Sequence, residues 1–354
     1  RPRNEVVLFS SPVVGSLLAP LPEGRTLFAC DLPEDHPPPP PGSAPALTEL
    51  QEMLDVAGPG NLRLHDPAWL SYFRCHLRLV PHYRTGRVFL AGDAAHVQSP
   101  FAGQGMNTGF QDAFNLAWKL ALVLRGQGNP ALLDSYHAER HDIGRQMLAF
   151  TGQVHQQLFD HHPSLATRAL ARMATLMTRF HLFHPKVRTS DETRVSYHRS
   201  PIVEEHLPRH AAEAWRDGPR AGDRAPDGTL IADPSGASVR LFELIREPQH
   251  HLLILQGGPD ATRPEALFEL AEAVAVPYGS RMRTHVILSG DPPPATRATH
   301  TTFACYFDPA GEFRRGYGAG QPCLYLIRPD GYLGFRSPGL DAELLFQYLK
   351  NVFL

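Results

Sequence analysis

The sequence predicts a mixed α/β fold in two parts, and three observations point to it. Short β-rich runs, EVVLF at 5–9 and RTLFAC at 25–30, open the chain. Apolar residues then fall at 106, 110, 113, 114, 117, 120, 121 and 124, the i, i+3, i+4, i+7 spacing of a helix with one buried face. From residue 251 to the end, strand-like and helix-like runs alternate. The 354 residues allow two or three domains on a soft prior of about 150 residues each.

Composition narrows the function classes. With Lys+Arg 34 against Asp+Glu 36, the formal charge is -2; no positive field gathers phosphates, and nucleic acid is not an expected partner. No apolar run approaches the ~20 residues a bilayer span needs, so no membrane segment is expected. Cys30, Cys75, Cys305 and Cys323 lie far apart, without CxxC or zinc spacing, and read as reduced thiols of a cytoplasmic protein. His161, His162, His181 and His184 lack a carboxylate at ligand spacing, so no metal is expected. The chain opens Arg1-Pro2-Arg3 with no Met and no apolar signal core; no secretory signal is expected, and the N-terminus is read as truncated.

In order along the chain, 5–9 and 25–30 form antiparallel sheet, with SSPVVG and APLPEG as breaks. Pro37 to Pro41 make an extended surface loop, because each proline lacks a donor and restricts the residue before it. Residues 45–57 read as helix, 70–80 as an alternating strand, and 86–91 as a short strand meeting Gly92-Asp93. The helix from Gly105 stops at Gly126, a second follows Pro130 through LLDSYHAERHDIGRQMLAF, and helix continues to about Trp215. Turn formers between Gly218 and Pro226 suggest a domain boundary.

The last domain reads as strand 251–255, helix 263–275, strands 284–288 and 323–327, a turn at Arg328 to Gly331, strand 332–335 and helix 340–352. A βαβ unit, a hairpin and a closing helix is the thioredoxin-like order. Gln256 to Asp260 stand where CxxC would lie, so thiol redox chemistry is not expected. Pro322 occupies the place of that fold's cis-proline, and a cis Gln321–Pro322 bond is predicted.

The chemistry concentrates in GRVFLAGDAAH (86–96) and PFAGQGMNTG (100–109). A strand delivers Asp93 at its carboxyl end, a glycine-bearing loop follows, and a helix turns its N-terminus toward that loop. Such an end offers unpaired N–H groups and partial positive charge, suited to an anion or an electron-rich ring edge. Gly103 and Gly105 let a planar ligand approach the backbone. GxGxxxG at 103–109 is not the dinucleotide phosphate fingerprint, because 94–102 separate it from the strand. Asp93 and His96 lack a GxSxG nucleophile elbow, so hydrolysis is not indicated. The plain alternative is that Asp93 caps a turn and 103–109 is an ordinary helix entrance.

GRVFLAGDAAH followed by PFAGQGMNTGFQDAFNLAWKLA resembles the second flavin motif of the FAD-dependent aromatic hydroxylases, single-component monooxygenases of the phenol hydroxylase type. SPVVGSLLAPLPEGRTL resembles their substrate-domain sheet and DSYHAER the helix after the motif; AGDRAPDGTL and LIRPDGYLGFR resemble the thioredoxin-like C-terminal domain of the phenol hydroxylase branch. The resemblance implies part of an FAD- and substrate-binding domain at 1–130, a helical segment at 131–217 and a thioredoxin-like domain without CxxC at 218–354. It implies that Asp93 holds a ribityl hydroxyl, that Gly92, Pro100, Gly103, Gln104, Gly105, Met106 and Asn107 meet the flavin, and that Pro100 and Phe101 line the substrate. NADH or NADPH would reduce FAD, and dioxygen would supply one atom to a phenolic or polyketide-like ring. A homodimer is expected at family level only.

Departures from the family pattern are specific. The family's GxGxxG βαβ unit and its Asp-Gly motif are missing from this chain, Ala102 replaces a common glycine, and His141-Asp142 stand where proline is frequent. No catalytic base can be named. The alternative is a non-catalytic relic serving as a dimerisation or interaction module.

Overall fold

A computed structural model describes residues 6–11, 14–33, 36–58, 60–99, 104–158, 195–207, 215, 217–258, 261–291 and 302–354. The chain divides into two compact units: 1–79, 96–105 and 146–189 form one, and 80–95, 106–145 and 190–354 the other.

In the first unit, β1 (Val7–Ser10), β2 (Gly15–Pro20) and β3 (Thr26–Cys30) make a three-stranded antiparallel sheet in that order. Gly15–Pro20 is thus the central strand rather than a break. Its N-terminal edge is fixed by the Gly15 N–H donating to Asp31 Oδ1 at 2.6 Å. The β2–β3 turn puts Glu23 and Gly24 at φ 61° and 75°. Helix α1 (Leu47–Ala57) buries Leu54, and Gln51 clamps the loop beyond it through Leu62 O and Leu64 N. Pro37 to Pro41 form a loop, as expected. The strand expected over 70–80 shrinks to β4 (Arg78–Leu79), paired antiparallel with β7 (His96–Val97). The alternation there meets no partner: Trp69, Phe73 and Leu77 stay exposed.

In the second unit, β5 (Arg84–Thr85) and β6 (Val88–Phe89) form a hairpin around Gly86, at φ 61°. Helices α2 (Gly105–Leu124) and α3 (Leu132–Leu158) follow, of which 106–124 and 132–145 belong to this unit. Gly126, at φ 66°, ends α2 as expected. Helix beyond 158 falls outside the described residues up to 194; residues 195–207 are turns and the two-residue strand β8 (Glu204–Glu205), not helix.

The large sheet adds β9 (Thr229–Ala232), β10 (Ser238–Arg240), β11 (His250–Leu255), β12 (Met282–Ser289), β13 (Ala304–Asp308), β14 (Cys323–Ile327) and β15 (Leu333–Pro338). The order is β10-β9-β13-β12-β11-β14-β15-β8, with β11–β12, β12–β13 and β15–β8 parallel and the other pairs antiparallel. Strands β11 and β14 read as unbroken apolar runs because both faces are buried. Leu252, Ile254, Leu324 and Leu326 enter one core, and Leu253, Leu255, Tyr325 and Ile327 the other.

Helices α5 (Pro264–Tyr278) and α7 (Ala342–Val352) cover the first face, joined in that core by Trp118 of α2 and Leu132 of α3. The short α4 (Leu241–Leu244) and α6 (Glu312–Gly316) contribute Leu241 and Phe313 to the second. Gly128 bridges Phe353, with Asn129 N donating to Val352 O at 3.0 Å. Gln321–Pro322 is trans, against expectation, and among the described residues the cis bond lies at Asp233–Pro234. Pro322 runs extended into β14, its carbonyl accepting from Gly339 N at 2.7 Å.

Candidate functional site

Strand β6 delivers the chain through Leu90, whose N–H donates to Tyr83 O and whose carbonyl accepts from Tyr136 Oη. A single tight turn, Gly92–Ala94, follows, with Gly92 at φ 57°, a conformation glycine adopts without the Cβ penalty. The Gly92 N–H donates to Asp112 Oδ2 at 3.0 Å. A Cβ on Gly109 would lie 3.4 Å from Gly92 Cα, so the turn lies against α2 with no side chain between the backbones. Asp93 is exposed, and among the described residues nothing bonds its carboxylate.

The α2 face carrying the apolar spacing is not the buried one. Met106, Phe110 and Phe114 are 72%, 65% and 61% exposed, and Asn107 is exposed as well. Thr108, Asp112, Asn115, Trp118 and Lys119 are buried instead. The correction has a physical cause: α3 supplies counter-charges to that polar face. Arg140 Nε donates to Asp112 Oδ1 at 2.6 Å and Arg140 Nη1 to Tyr197 Oη at 3.0 Å.

A second cluster centres on Glu139, which accepts from Lys119 Nζ at 2.8 Å, Asn115 Nδ2 at 2.6 Å, Ser200 Oγ at 2.5 Å and both terminal nitrogens of Arg328 at 2.6 and 2.9 Å. Arg328 also pairs with Asp330, which accepts from Trp118 Nε1 at 3.0 Å. Burial alone would raise the Glu139 carboxyl, but Arg328 and Lys119 hold it well below the usual carboxylate range. Burial pushes Lys119 down to about 8 against the pull of Glu139, with Arg328 adding to the fall. Sequence reasoning missed these residues; their signal was the polar set 108, 112, 115, 119 at helical spacing facing the adjacent Glu139-Arg140.

In the first unit, Gln104 is buried and Gly105 opens α2. Both amide atoms of Gln98 are buried without a hydrogen-bond partner among the described residues, and Nε2 lies 3.5 Å from where a Gly105 Cβ would stand. Pro100, Phe101 and Gly103 lie outside the described residues, as do His161, His162, His181 and His184. No described helix is long and apolar enough to cross a membrane.

Residues 30–151 match the FAD binding domain family. The chain is 34% identical to pentachlorophenol 4-monooxygenase of Sphingobium chlorophenolicum over 287 residues, covering 80% of this chain and 48% of that protein. It is 34% identical to a flavin-dependent monooxygenase of Mycobacteroides abscessus over 311 residues, covering 87% and 50%. The chain therefore spans about half the length of these curated relatives. Among solved structures, CabE, an aromatic hydroxylase from angucycline biosynthesis, aligns at TM-score 0.65 and 25% identity, covering 99% of this chain and 62% of that one. Residues 30–151, which hold the Gly92-Asp93 turn and the start of α2, thus carry the match to an FAD binding domain, within a chain similar over most of its length to flavin-dependent aromatic monooxygenases.

Proposed function

We propose that this chain is the flavin- and substrate-binding portion of an FAD-dependent monooxygenase that hydroxylates a phenolic or polyketide-like aromatic ring, with NADH or NADPH as electron donor. The observation that carries the reading is the Gly92-Asp93 turn, held against α2 by Asp112 and leaving the Asp93 carboxylate open.

The described residues fit FAD on the chemistry of their donors and acceptors. Asp93 offers a charged acceptor to a ribityl hydroxyl, a bond worth roughly 1.5–3 kcal/mol. Gly105, Met106 and Asn107, in the first turn of α2, would present backbone N–H groups and the positive helix end to the pyrimidine ring. Pro100 and Phe101 would line the substrate side. Bound FAD would supply the redox and oxygen-transfer chemistry, while the protein orients the ring and excludes water.

Residues 218–354 are read as a thioredoxin-like domain without CxxC. Its support is the parallel β13-β12-β11 set continued by the antiparallel β14–β15 hairpin and closed by α7. A homodimer is the family-level expectation.

The test is a flavin-fluorescence titration of the intact protein with FAD, followed by NAD(P)H oxidation with a phenol panel. Stoichiometric FAD binding and substrate-stimulated NAD(P)H consumption are expected. A chain that takes up no FAD is the outcome that overturns the reading and favours the relic alternative.

A further inference from the structure

We propose that Asp112 is a positioning residue for the flavin site, holding the Gly92-Asp93 turn through the Gly92 N–H while Arg140 locks its second oxygen. The inference rests on the flavin reading above. Asp112 and Arg140 are both fully buried, and the two oxygens of one carboxylate are divided between Gly92 N at 3.0 Å and Arg140 Nε at 2.6 Å. Rotating the carboxylate would strand the buried Arg140 guanidinium and the half-buried Gly92 N–H together, which holds it in one orientation.

Arg140 is itself held at three other points, by Tyr197 Oη, Gln111 Oε1 and Thr108 O. The guanidinium is a fixed fork, and its geometry passes to the carboxylate and on to the Gly92 peptide. The pinned N–H belongs to the Ala91–Gly92 peptide, so it fixes the entry to the turn, and the Gly92 backbone at φ 57° carries that orientation on to Asp93. The bare backbone contact of Gly92 with Gly109 gives the turn a floor, and Asp112 supplies the pin.

The test compares FAD affinity of the intact wild-type protein, Asp112→Asn, and Ser200→Ala, well below each melting temperature. The Ser200 hydroxyl bonds Glu139 and accepts from Ile202 N, and among the described residues it makes no hydrogen bond to Asp112 or the turn. Because Asp112→Asn leaves Arg140 buried beside a neutral partner, Asp112→Asn/Arg140→Gln is run alongside; it removes both charges. We expect FAD binding weakened about tenfold or more in each Asp112 variant that folds, with blurring of the bound-flavin absorption band. Ser200→Ala is expected to stay within about twofold of wild type whatever its melting temperature.

Wild-type affinity in the Asp112 variants, or an equal loss in Ser200→Ala, overturns the positioning role while leaving the flavin reading intact. A wild-type protein that binds no FAD overturns both, so the two failures are told apart by the wild-type titration.

Discussion

At Gly92 the backbone sits at φ 57°, where an L side chain costs about 1–2 kcal/mol. Gly92→Ala should lower stability by about that amount in denaturant titrations. It should also disturb the neighbouring carboxylate, which Asp93→Ala removes outright; the latter should weaken FAD binding with little change in melting, because Asp93 is exposed. Gly109→Ala fits at ordinary contact distance from Gly92 and should gain up to about 1 kcal/mol of helix propensity. Gly109→Leu should instead push the turn away and reduce FAD affinity. The Gly92-Asp93 step at the end of a short strand was legible in the sequence, since a glycine there admits the positive φ that a sharp change of direction needs. Asp112 and Arg140 were not, because a polar residue in a helix looks solvated until its counter-charge, 28 positions away, is brought beside it.

At the scale of elements, α2 shows where periodicity misleads. Spacing gave the helix and its end at Gly126, but it put the apolar stripe inside, whereas the buried stripe is the polar one. Hydrophobic patterning assumes buried charge is costly, and that cost vanishes only when every charge is paired. The corollary is steep: Arg328→Met, which leaves Glu139 with Lys119 as its one cationic partner among the described residues, should destabilise by about 3–5 kcal/mol in urea melts.

Strand β11 carries a different liability. Burial first, then Arg328 and His251, press His250 down to about 3, and burial likewise presses His285 to about 3. Their folded forms stay neutral while the unfolded chain takes up protons below about 6.5. Stability is therefore full above that pH and falls as pH drops from there toward 3, by up to about 1.4 kcal/mol per pH unit per group. His250, with both ring nitrogens unpartnered among the described residues and its ring beside Trp118 and Phe353, is the clearest case. His250→Phe should raise the melting temperature and flatten that acid slope. Strands β11, β12 and β14 were legible because burial on both faces makes continuous apolar runs. Strand β4, with no partner along most of the expected 70–80 run, and the edge strands β8 and β10 were not, because pairing rather than sequence decides them.

Across the molecule, the second unit is assembled from distant stretches: 80–95, 106–145 and 190–354 share it. Trp118 belongs to the core of the large sheet, so sheet and helix pair should unfold together. With Trp69 and Trp215 replaced by Phe, the Trp118 fluorescence transition and the far-ultraviolet transition should share a midpoint; two separated midpoints would show that the sheet melts independently. The Trp118–Asp330 and Asn115–Asp330 contacts span 212 and 215 residues. On the ribosome, at roughly 5–20 residues per second, α2 then waits about 10–40 s for Asp330 to be synthesised. For that interval Lys119 and Glu139 lack Arg328, so the buried charge cluster of the helix pair closes only after nearly the whole sheet has been synthesised.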